Sequence, residues 1–293
     1  MEVLKNIATD MWTFYGFLFE YADERVEDWF LMDAYWKTWA GVVLYLLIVW
    51  IGPQIMKHRQ PMKSRYPIVI YNALMIQLNF YIFYELLVCT TIRGYSYSCQ
   101  PVDYSDNPYE VRIAKALWWF YFSKSLEFMD TFFFILRKKN TQISFLHVYH
   151  HATVFPFCWV GVKWVAGGQS FFGAMTNSWI HVMMYSYYGL AALGPRVQKH
   201  LWWKPYVTRM QLIQFLADII HGTQSILLGC RHYDFWMQFC LIFYVAFFLV
   251  LFINFYFHTY IRAKHKKSKA EYTNGITNGQ ALANGSTFHK KKK

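Results

Sequence analysis

The chain has 293 residues, of which 56% are hydrophobic and only 16% are charged, whereas about a quarter of the residues in a soluble domain are charged. Because the apolar residues fall in runs close to the roughly 20 that cross a bilayer, the composition excludes a soluble globular protein and predicts an all-α polytopic membrane protein. The formal net charge of +12 does not indicate nucleic-acid binding, since the basic residues cluster between the apolar runs and at the C-terminus, which is the positive-inside pattern.

The apolar pattern predicts about seven transmembrane helices within residues 36–262. The preceding segment, 1–35, is mixed and acidic and has no basic start followed by an apolar core, so we expect no cleavable signal peptide and a lumenal or interfacial position. Residues 263–293 are rich in Lys, Asn and Gly and are predicted to be a disordered tail. The predicted spans are Thr38–Ile55, Ile68–Cys89, Ala114–Leu136, Phe145–Trp164, Phe172–Leu193, Tyr206–Leu228 and Phe235–Tyr260.

The loops differ in charge, and this difference predicts the orientation. Basic residues concentrate after the first, third and fifth spans and in the tail, which places these parts in the cytosol and the N-terminus in the lumen. Near the C-terminus, Lys290 and Lys291 resemble the dilysine retrieval signal of endoplasmic-reticulum membrane proteins, which a receptor reads as an address. The alternative is a basic tail attracted to anionic lipid. We therefore expect a multi-pass protein of the endoplasmic-reticulum membrane.

The cysteines are distributed unevenly with respect to this orientation. Of the five in the chain, only Cys99 and Cys230 fall in predicted lumenal loops. The lumen permits disulfides. A Cys99–Cys230 disulfide is therefore predicted, and two free thiols are the alternative.

Four predicted spans carry polar side chains, which are costly inside a bilayer and usually mark function. At helical spacing each set shares one helix face. The sets are Lys124, Glu127, Asp130 and Thr131; His147, His150 and His151; Asn177, His181, Met184, Tyr185, Tyr187 and Tyr188; and Thr208, Gln211 and Gln214.

The depth of these sets in the membrane is similar. At a rise of about 1.5 Å per residue, all four fall in the cytosolic half, although consecutive helices run in opposite directions. One shared site explains this coincidence. Asp218 and His221 lie nearer the lumen, and for them we expect hydrogen bonds between helices instead.

Imidazoles clustered with carboxylates suit metal ligation, acid–base catalysis or nucleophilic catalysis. Membrane di-iron oxygenases and desaturases also carry HxxHH boxes, but they need several such boxes and this chain has one. A single zinc on three histidines and a desaturase-like oxidase stay open as alternatives. A seven-helix transporter or receptor is a further alternative, although a transport path should carry polar groups at all depths.

The polar sets also resemble a known family. They match, in order and spacing, the four signature motifs of the animal very-long-chain fatty acid elongases, and the resemblance extends from the N-terminus to about Arg262. The run from Asn140 through Trp203 is most similar to the family's fourth-member branch, which extends long saturated and polyunsaturated chains. Two features depart from that branch, namely Ala152 after the histidine box and the sequence from Phe215 to Asp218. The matching motifs are Lys124-x-x-Glu127-x-x-Asp130-Thr131, His147-x-x-His150-His151, His181-x-x-Met184-Tyr185-x-Tyr187-Tyr188 and Thr208-x-x-Gln211-x-x-Gln214.

The resemblance implies a seven-helix fold in which six helices surround a narrow acyl-chain tunnel. It also implies a condensation of acyl-CoA with malonyl-CoA to 3-oxoacyl-CoA, CoA and carbon dioxide, with no cofactor and no metal. Physical partners would be the bilayer and the ketoacyl-CoA reductase, dehydratase and enoyl reductase of the elongation cycle. Homo- or hetero-oligomers with other elongases are also expected.

The resemblance also implies a ping-pong route through an acyl-imidazole, and the expected roles of the residues follow from that route. His150 would be the nucleophile, with His147 and His151 holding its tautomer or moving protons. His181 and Asn177 would donate to the enolate oxygen that decarboxylation creates. Lys124, Glu127, Asp130 and Thr131 would orient the imidazoles, the tyrosines would donate further hydrogen bonds, and Gln211 and Gln214 would hold the thioester arm.

Overall fold

A computed structural model describes residues 20–230 and 235–262. Within these residues the secondary structure is helical and contains no strand, which confirms the all-α prediction. Lys290, Lys291 and the rest of the tail from residue 263 lie outside the described residues, as do the first nineteen residues.

The helices follow the predicted runs closely. The predicted fourth span, Phe145–Trp164, is a helix with those bounds. The first, second, fifth, sixth and seventh predicted spans agree with helices to within a few residues, whereas the third differs. A short 3₁₀ turn at Glu24–Val26 precedes the first helix, and another at Asn140–Gln142 lies between the fourth and fifth helices. A π-type turn at Phe257–Ile261 follows the last helix. The helices are α1 (Tyr35–Met56), α2 (Tyr66–Ile92), α3 (Pro108–Leu126), α4 (Phe128–Leu136), α5 (Phe145–Trp164), α6 (Ser170–Ala192), α7 (Pro195–Gln198), α8 (Lys204–Leu227) and α9 (Phe235–Tyr256).

Local sequence signals set where the site helices begin. Ser144 caps α5, because its hydroxyl accepts a hydrogen bond from the backbone N–H of His147 at 3.3 Å. Asn107 caps α3 in the same way, and Pro108 follows it at the first helical position, where its missing N–H costs nothing. The cap sets where α5 begins, in the turn that contains His147.

Among residues 20–230 and 235–262, three segments are long and apolar enough to cross a membrane, namely α1, α2 and Met237–Ile261. On α1, large side chains such as Trp36, Leu44 and Trp50 are exposed, as expected of a surface that faces lipid. The chain is a multi-pass membrane protein. The helices that carry the four polar sets are less apolar than these three segments because of those polar side chains.

The predicted third span is not one helix. The structure ends α3 at Leu126 and begins α4 at Phe128, with Glu127 between them. The backbone at Glu127 has φ −62° and ψ −19°, which is close to a 3₁₀ conformation. The backbone is therefore wound more tightly at this residue than in the α-helices on either side. Neither Gly nor Pro marks this position, and hydrophobic periodicity alone therefore predicts a continuous helix.

The described residues up to Ala246 form one compact unit, in which α6 has a central position. Helix α2 packs along α6, and α8 contacts α6 as well. Helix α3 packs against both α2 and α5, whereas α1 packs against α4 and α5. The first part of α9 reaches α5 through a hydrogen bond of 2.9 Å between Thr153 and Tyr244. The described residues of the second unit, 247–262, complete α9 and the π-type turn.

A polar clamp lies where α5 ends and α3 begins. Asp23 forms a 2.6 Å ion pair with Arg25, and Arg25 donates to the backbone carbonyl of Asp103 at 2.8 Å. Arg93 pairs with the buried carboxylate of Glu110 at 2.8 Å. Arg25, which lies before α1, thus connects its own segment to the loop before α3. The acidic composition of the segment does not predict this packing.

At this same end, Cys99 and Cys230 are joined by a disulfide, with their Cα atoms 5.6 Å apart. This agrees with the predicted pairing. The bridge connects residues separated by 131 positions, from the loop after α2 to the end of α8. Cys89, Cys158 and Cys240 are free thiols.

Replacing Cys99 with serine is expected to destabilise the fold by roughly 2–5 kcal/mol, because a cross-link over so long a loop restricts the unfolded chain strongly. Thermal unfolding of purified protein in detergent measures the effect. Cys240→Ser is the matched control, since that thiol is exposed and unbridged. An equal loss in both variants would show that the bridge does not stabilise the fold.

Candidate active site

The three histidines of the box lie together on α5. The ring centroids of His147 and His151 are 4.5 Å apart, and those of His150 and His151 are 5.1 Å apart. Phe128 packs edge-on against His151 at 6.3 Å, and Phe134 lies 5.3 Å from His147. The structure therefore brings the predicted imidazoles into one cluster with an aromatic wall supplied by α4.

The segment 127–131 connects this cluster to α6. Glu127 Oε1 lies 3.0 Å from His181 Nδ1, and the Tyr185 hydroxyl donates to Asp130 Oδ2 at 2.8 Å. Thr131 Oγ1 is 2.7 Å from His147 Nε2 on α5. Within five consecutive residues, Thr131 thus contacts His147 on α5, whereas Glu127 and Asp130 contact α6. The tight turn at Glu127 lies at the start of this segment.

Two imidazole nitrogens in the site lack an aligned hydrogen-bond partner among the described residues. They are His151 Nδ1 and His181 Nδ1. His181 Nδ1 is within ion-pair distance of Glu127, but the two atoms are not aligned as a hydrogen bond. Buried polar groups are nearly always satisfied in native proteins, so an open nitrogen such as His151 Nδ1, which has no ion-pair partner within the described part of the chain, is expected where a substrate binds.

Lys124 and Glu127 form an ion pair of 2.8 Å, and each side chain is only 1% exposed. Buried charges persist when they are paired and hydrogen-bonded, and here the lysine also donates to Asn177 Oδ1 at 3.1 Å. Its ammonium lies 4.3 Å from the ring centroid of Phe120, which adds a cation–π contact. The pair keeps a carboxylate beside His181 without leaving an uncompensated charge.

A chain of hydrogen bonds extends from this pair to α8. Asn177 Nδ2 donates to Gln214 Oε1 at 3.3 Å, and Gln214 Nε2 donates to Asp218 Oδ2 at 2.9 Å. The hydroxyl of Thr176 donates to the other carboxylate oxygen of Asp218 at 3.2 Å. The amide orientations of Asn177 and Gln214 are therefore set by partners at both ends.

The remaining predicted residues lie around this network. Thr208 is buried on α8, and Gln211 Nε2 lies 3.8 Å from the sulfur of Met184. Tyr187 packs against Trp203 at 5.4 Å, and Tyr188 is 37% exposed. The structure thus places Tyr187 and Tyr188 toward the end of α6, at the edge of the site.

The structure also adds two residues to the site that the sequence analysis did not place there. Asp218 makes the predicted hydrogen bond between helices, to Thr176, but it also connects to Lys124 through Gln214 and Asn177. Its spacing of four residues from Gln214 was a signal for this connection. Tyr45 of α1 lies 3.1 Å from Thr131 Oγ1, and a single tyrosine in an apolar span gave no signal.

Clustered imidazoles are one of the side-chain arrangements that bind metal ions. Across residues 20–230 and 235–262, no group of three or more His, Cys, Asp or Glu side chains is arranged to hold a metal ion. The arrangement observed, with imidazoles beside a lysine–carboxylate pair and amide donors, suits nucleophilic and acid–base chemistry on a carbonyl group.

Comparison with known proteins agrees with this arrangement. Residues 30–268 match the family model described as ELO, the GNS1/SUR4 family. Over 277 residues the chain is 51% identical to very long chain fatty acid elongase 4 of Homo sapiens, covering 94% of this chain and 88% of that protein. It is likewise 51% identical to the elongase 4 of Mus musculus over 291 residues, covering 97% and 93% of the two chains. To very long chain fatty acid elongase 2 of Mus musculus it is 42% identical over 296 residues, covering 99% of both chains. The family resemblance seen in the four motifs is thereby confirmed, and the chain belongs to the ELO (GNS1/SUR4) family.

Proposed function

We propose that this chain is a very-long-chain 3-oxoacyl-CoA synthase. It condenses a long or very long acyl-CoA, saturated or polyunsaturated, with malonyl-CoA to give 3-oxoacyl-CoA, carbon dioxide and CoA. The relatives named above are fatty acid elongases and match nearly the whole chain. The observation that carries the proposal is the contact of segment 127–131 with both the histidine box and His181.

The reaction proceeds in two steps. In the first, an imidazole nitrogen of His150 attacks the thioester carbon, the carbon–sulfur bond breaks, and CoA leaves as a thiol with the ring proton that His150 gives up. In the second, malonyl-CoA loses carbon dioxide, and the carbanion left on its α-carbon attacks the carbonyl carbon of the acyl-imidazole. The carbon–nitrogen bond then breaks and gives the 3-oxoacyl-CoA, and His150 returns to its neutral form by taking up one proton from water. A covalent intermediate keeps the acyl chain in place after the first CoA leaves and until malonyl-CoA binds.

The surrounding residues support these steps. Glu127 faces His181 Nδ1, so His181 Nε2 is the nitrogen that serves the substrate, together with Asn177 as a donor to the enolate oxygen. His147 and His151 orient the nucleophile or carry protons. Lys124 holds Glu127, Asp130 holds Tyr185, and Thr131 holds His147. Gln211 and Gln214, beside Thr208, Met184, Tyr187 and Tyr188, bind the polar part of the thioester arm.

The membrane setting completes the proposal. Seven helices cross the endoplasmic-reticulum membrane, with the N-terminus lumenal and the tail cytosolic, and six of them surround a narrow tunnel for the acyl chain. Each buried methylene contributes about 0.8 kcal/mol, so a long chain binds tightly without polar contacts. The cytosolic lysines and arginines attract the phosphates of CoA. No cofactor is needed, and the reductases and dehydratase of the cycle act on the product.

The test is incubation of the purified protein with labelled malonyl-CoA and a series of acyl-CoA chain lengths, with products identified by mass. The expected product is a 3-oxoacyl-CoA two carbons longer than the substrate, and the series gives the chain-length preference. An unsaturated product of unchanged length, with two iron atoms per chain by metal analysis, would support a desaturase and overturn the proposal.

Replacing Asp218 with leucine is expected to lower the condensation rate about tenfold, because the buried Nε2 of Gln214 loses its acceptor. Asp218→Asn keeps an acceptor oxygen and should retain most of the activity. Initial rates with saturating acyl-CoA measure the effect. Equal rates for the leucine variant and the unsubstituted protein would show that Asp218 is not connected to the reaction.

Replacing Lys290 and Lys291 with serine is expected to shift the protein from the endoplasmic reticulum to later secretory compartments. The physical reason is that a retrieval receptor reads the position of the lysines, not their charge alone. Fluorescence microscopy of the tagged protein measures the shift. Lys266 and Lys267, changed in the same way, form the matched control, and an unchanged location of the Lys290/Lys291 variant would contradict the prediction.

A further inference from the structure

Tyr45 lies in the middle of α1, yet its side chain is only 2% exposed and faces the site. Its hydroxyl is 3.1 Å from Thr131 Oγ1, and Thr131 Oγ1 is 2.7 Å from His147 Nε2. Its ring stacks on Phe128 with centroids 4.4 Å apart and an interplanar angle of 19°. Phe128 in turn packs against His151. Tyr45 therefore contacts the residues behind two of the three box histidines.

The direction of these hydrogen bonds follows from the number of protons available. A phenol and an alcohol each have one proton to donate, and a buried hydroxyl proton needs an acceptor. Within residues 20–230 and 235–262, Thr131 Oγ1 is the only acceptor recorded for the Tyr45 hydroxyl. If Tyr45 donates to Thr131, then the threonine proton is directed to His147 Nε2. The reverse direction would leave the phenol proton of Tyr45 without a partner.

From this we infer that Tyr45 is a positioning residue: through Thr131 it fixes His147 in the neutral tautomer that carries its proton on Nδ1. The inference deepens the proposed function, on which its kinetic part rests. In this tautomer His147 Nε2 is occupied as an acceptor, and His147 contributes to the site as an N–H donor from Nδ1. The tautomer of a histidine is set by the hydrogen bond that its other nitrogen makes, and the relay from α1 supplies that bond.

The same helix offers a matched control. Thr38 of α1 is fully buried and hydrogen-bonds the hydroxyl of Tyr121 at 2.8 Å. This buried pair of hydroxyls joins α1 to α3, just as Tyr45 and Thr131 join α1 to α4. Within the part of the chain that the structure describes, neither Thr38 nor Tyr121 contacts an imidazole. Thr38→Val therefore removes a comparable hydrogen bond between helices without touching the relay.

The tautomer can be measured directly. Full-length protein with ¹⁵N-labelled histidine, reconstituted in lipid, gives separate signals for protonated and unprotonated ring nitrogens, and His147→Gln assigns those of His147. The expected result is a protonated Nδ1 and an unprotonated Nε2. Tyr45→Phe should shift this population toward the other tautomer, whereas Thr38→Val should not. A proton on Nε2 of His147 in the unsubstituted protein would overturn the inference.

Kinetics provide the second readout. Tyr45→Phe is expected to lower kcat for condensation about tenfold with little change in KM, because the relay acts on His147 and not on acyl-CoA. Thr131→Val should have a similar effect, and the double variant should be no worse than either, since both break one relay. Thr131→Ser, which keeps the hydroxyl, should restore activity. Equal rate losses in Tyr45→Phe and Thr38→Val, with an unchanged His147 tautomer, would contradict the inference.

Discussion

Replacing His150 with asparagine is expected to abolish the covalent acyl-enzyme and to lower condensation by roughly a thousandfold or more, since removal of a nucleophile eliminates the covalent route entirely. Mass spectrometry of the intact protein after incubation with acyl-CoA alone measures the adduct. In the unsubstituted protein the mass should rise by that of the acyl group. The His150→Asn protein should show no increase.

Two further variants separate the steps. His181→Asn should still form the adduct but fail to release 3-oxoacyl-CoA, because His181 acts on the enolate in the second step. His200→Asn, an exposed histidine after α7, should behave like the unsubstituted protein. An adduct that persists in His150→Asn would place the nucleophile elsewhere in the cluster. Peptide mapping would then decide between His147 and His151, whose rings lie 4.5 Å apart.

Replacing Glu127 with alanine is expected to destabilise the protein by about 3–5 kcal/mol and to abolish activity, because it leaves the buried ammonium of Lys124 without its carboxylate. The lysine would keep Asn177 as a partner, but an amide does not neutralise a charge. Thermal unfolding in detergent gives the stability change, and condensation rates give the activity.

The double variant Lys124→Met/Glu127→Leu separates stability from chemistry. With both charges removed, no uncompensated ion remains, so it should unfold at a higher temperature than Glu127→Ala while staying inactive. Asp33→Ala is the matched control, since the ion pair of Asp33 with Lys37 is exposed and such pairs contribute less than about 1 kcal/mol. A Glu127→Ala protein as stable as the Asp33→Ala protein would contradict this account of the pair.

The break between α3 and α4 at Glu127 is a feature of the fold that hydrophobic periodicity does not predict. The sequence from Ala114 to Leu136 reads as one apolar span, and the two helices together do cover it. The interruption falls at the acidic member of the buried Lys124–Glu127 pair. Beyond it, Asp130 contacts α6 and Thr131 contacts α5. Such a break depends on contacts between helices, which a periodic pattern within one helix does not contain.

The sequence by itself determined the helical class, the membrane setting, the family and the four polar faces, because these depend on composition and on spacing within single helices. It also pointed to Cys99 and Cys230, since loop charge separates them from the other cysteines. Only the tertiary structure decided that Thr131 meets His147, that Glu127 meets His181, and that Tyr45 of the apolar α1 belongs to the site. Spacing fixes which side chains share a helix face, but the rotation and depth of one helix against another arise from packing of the whole bundle. Contacts between residues as distant in sequence as Tyr45 and Thr131 are set by that packing.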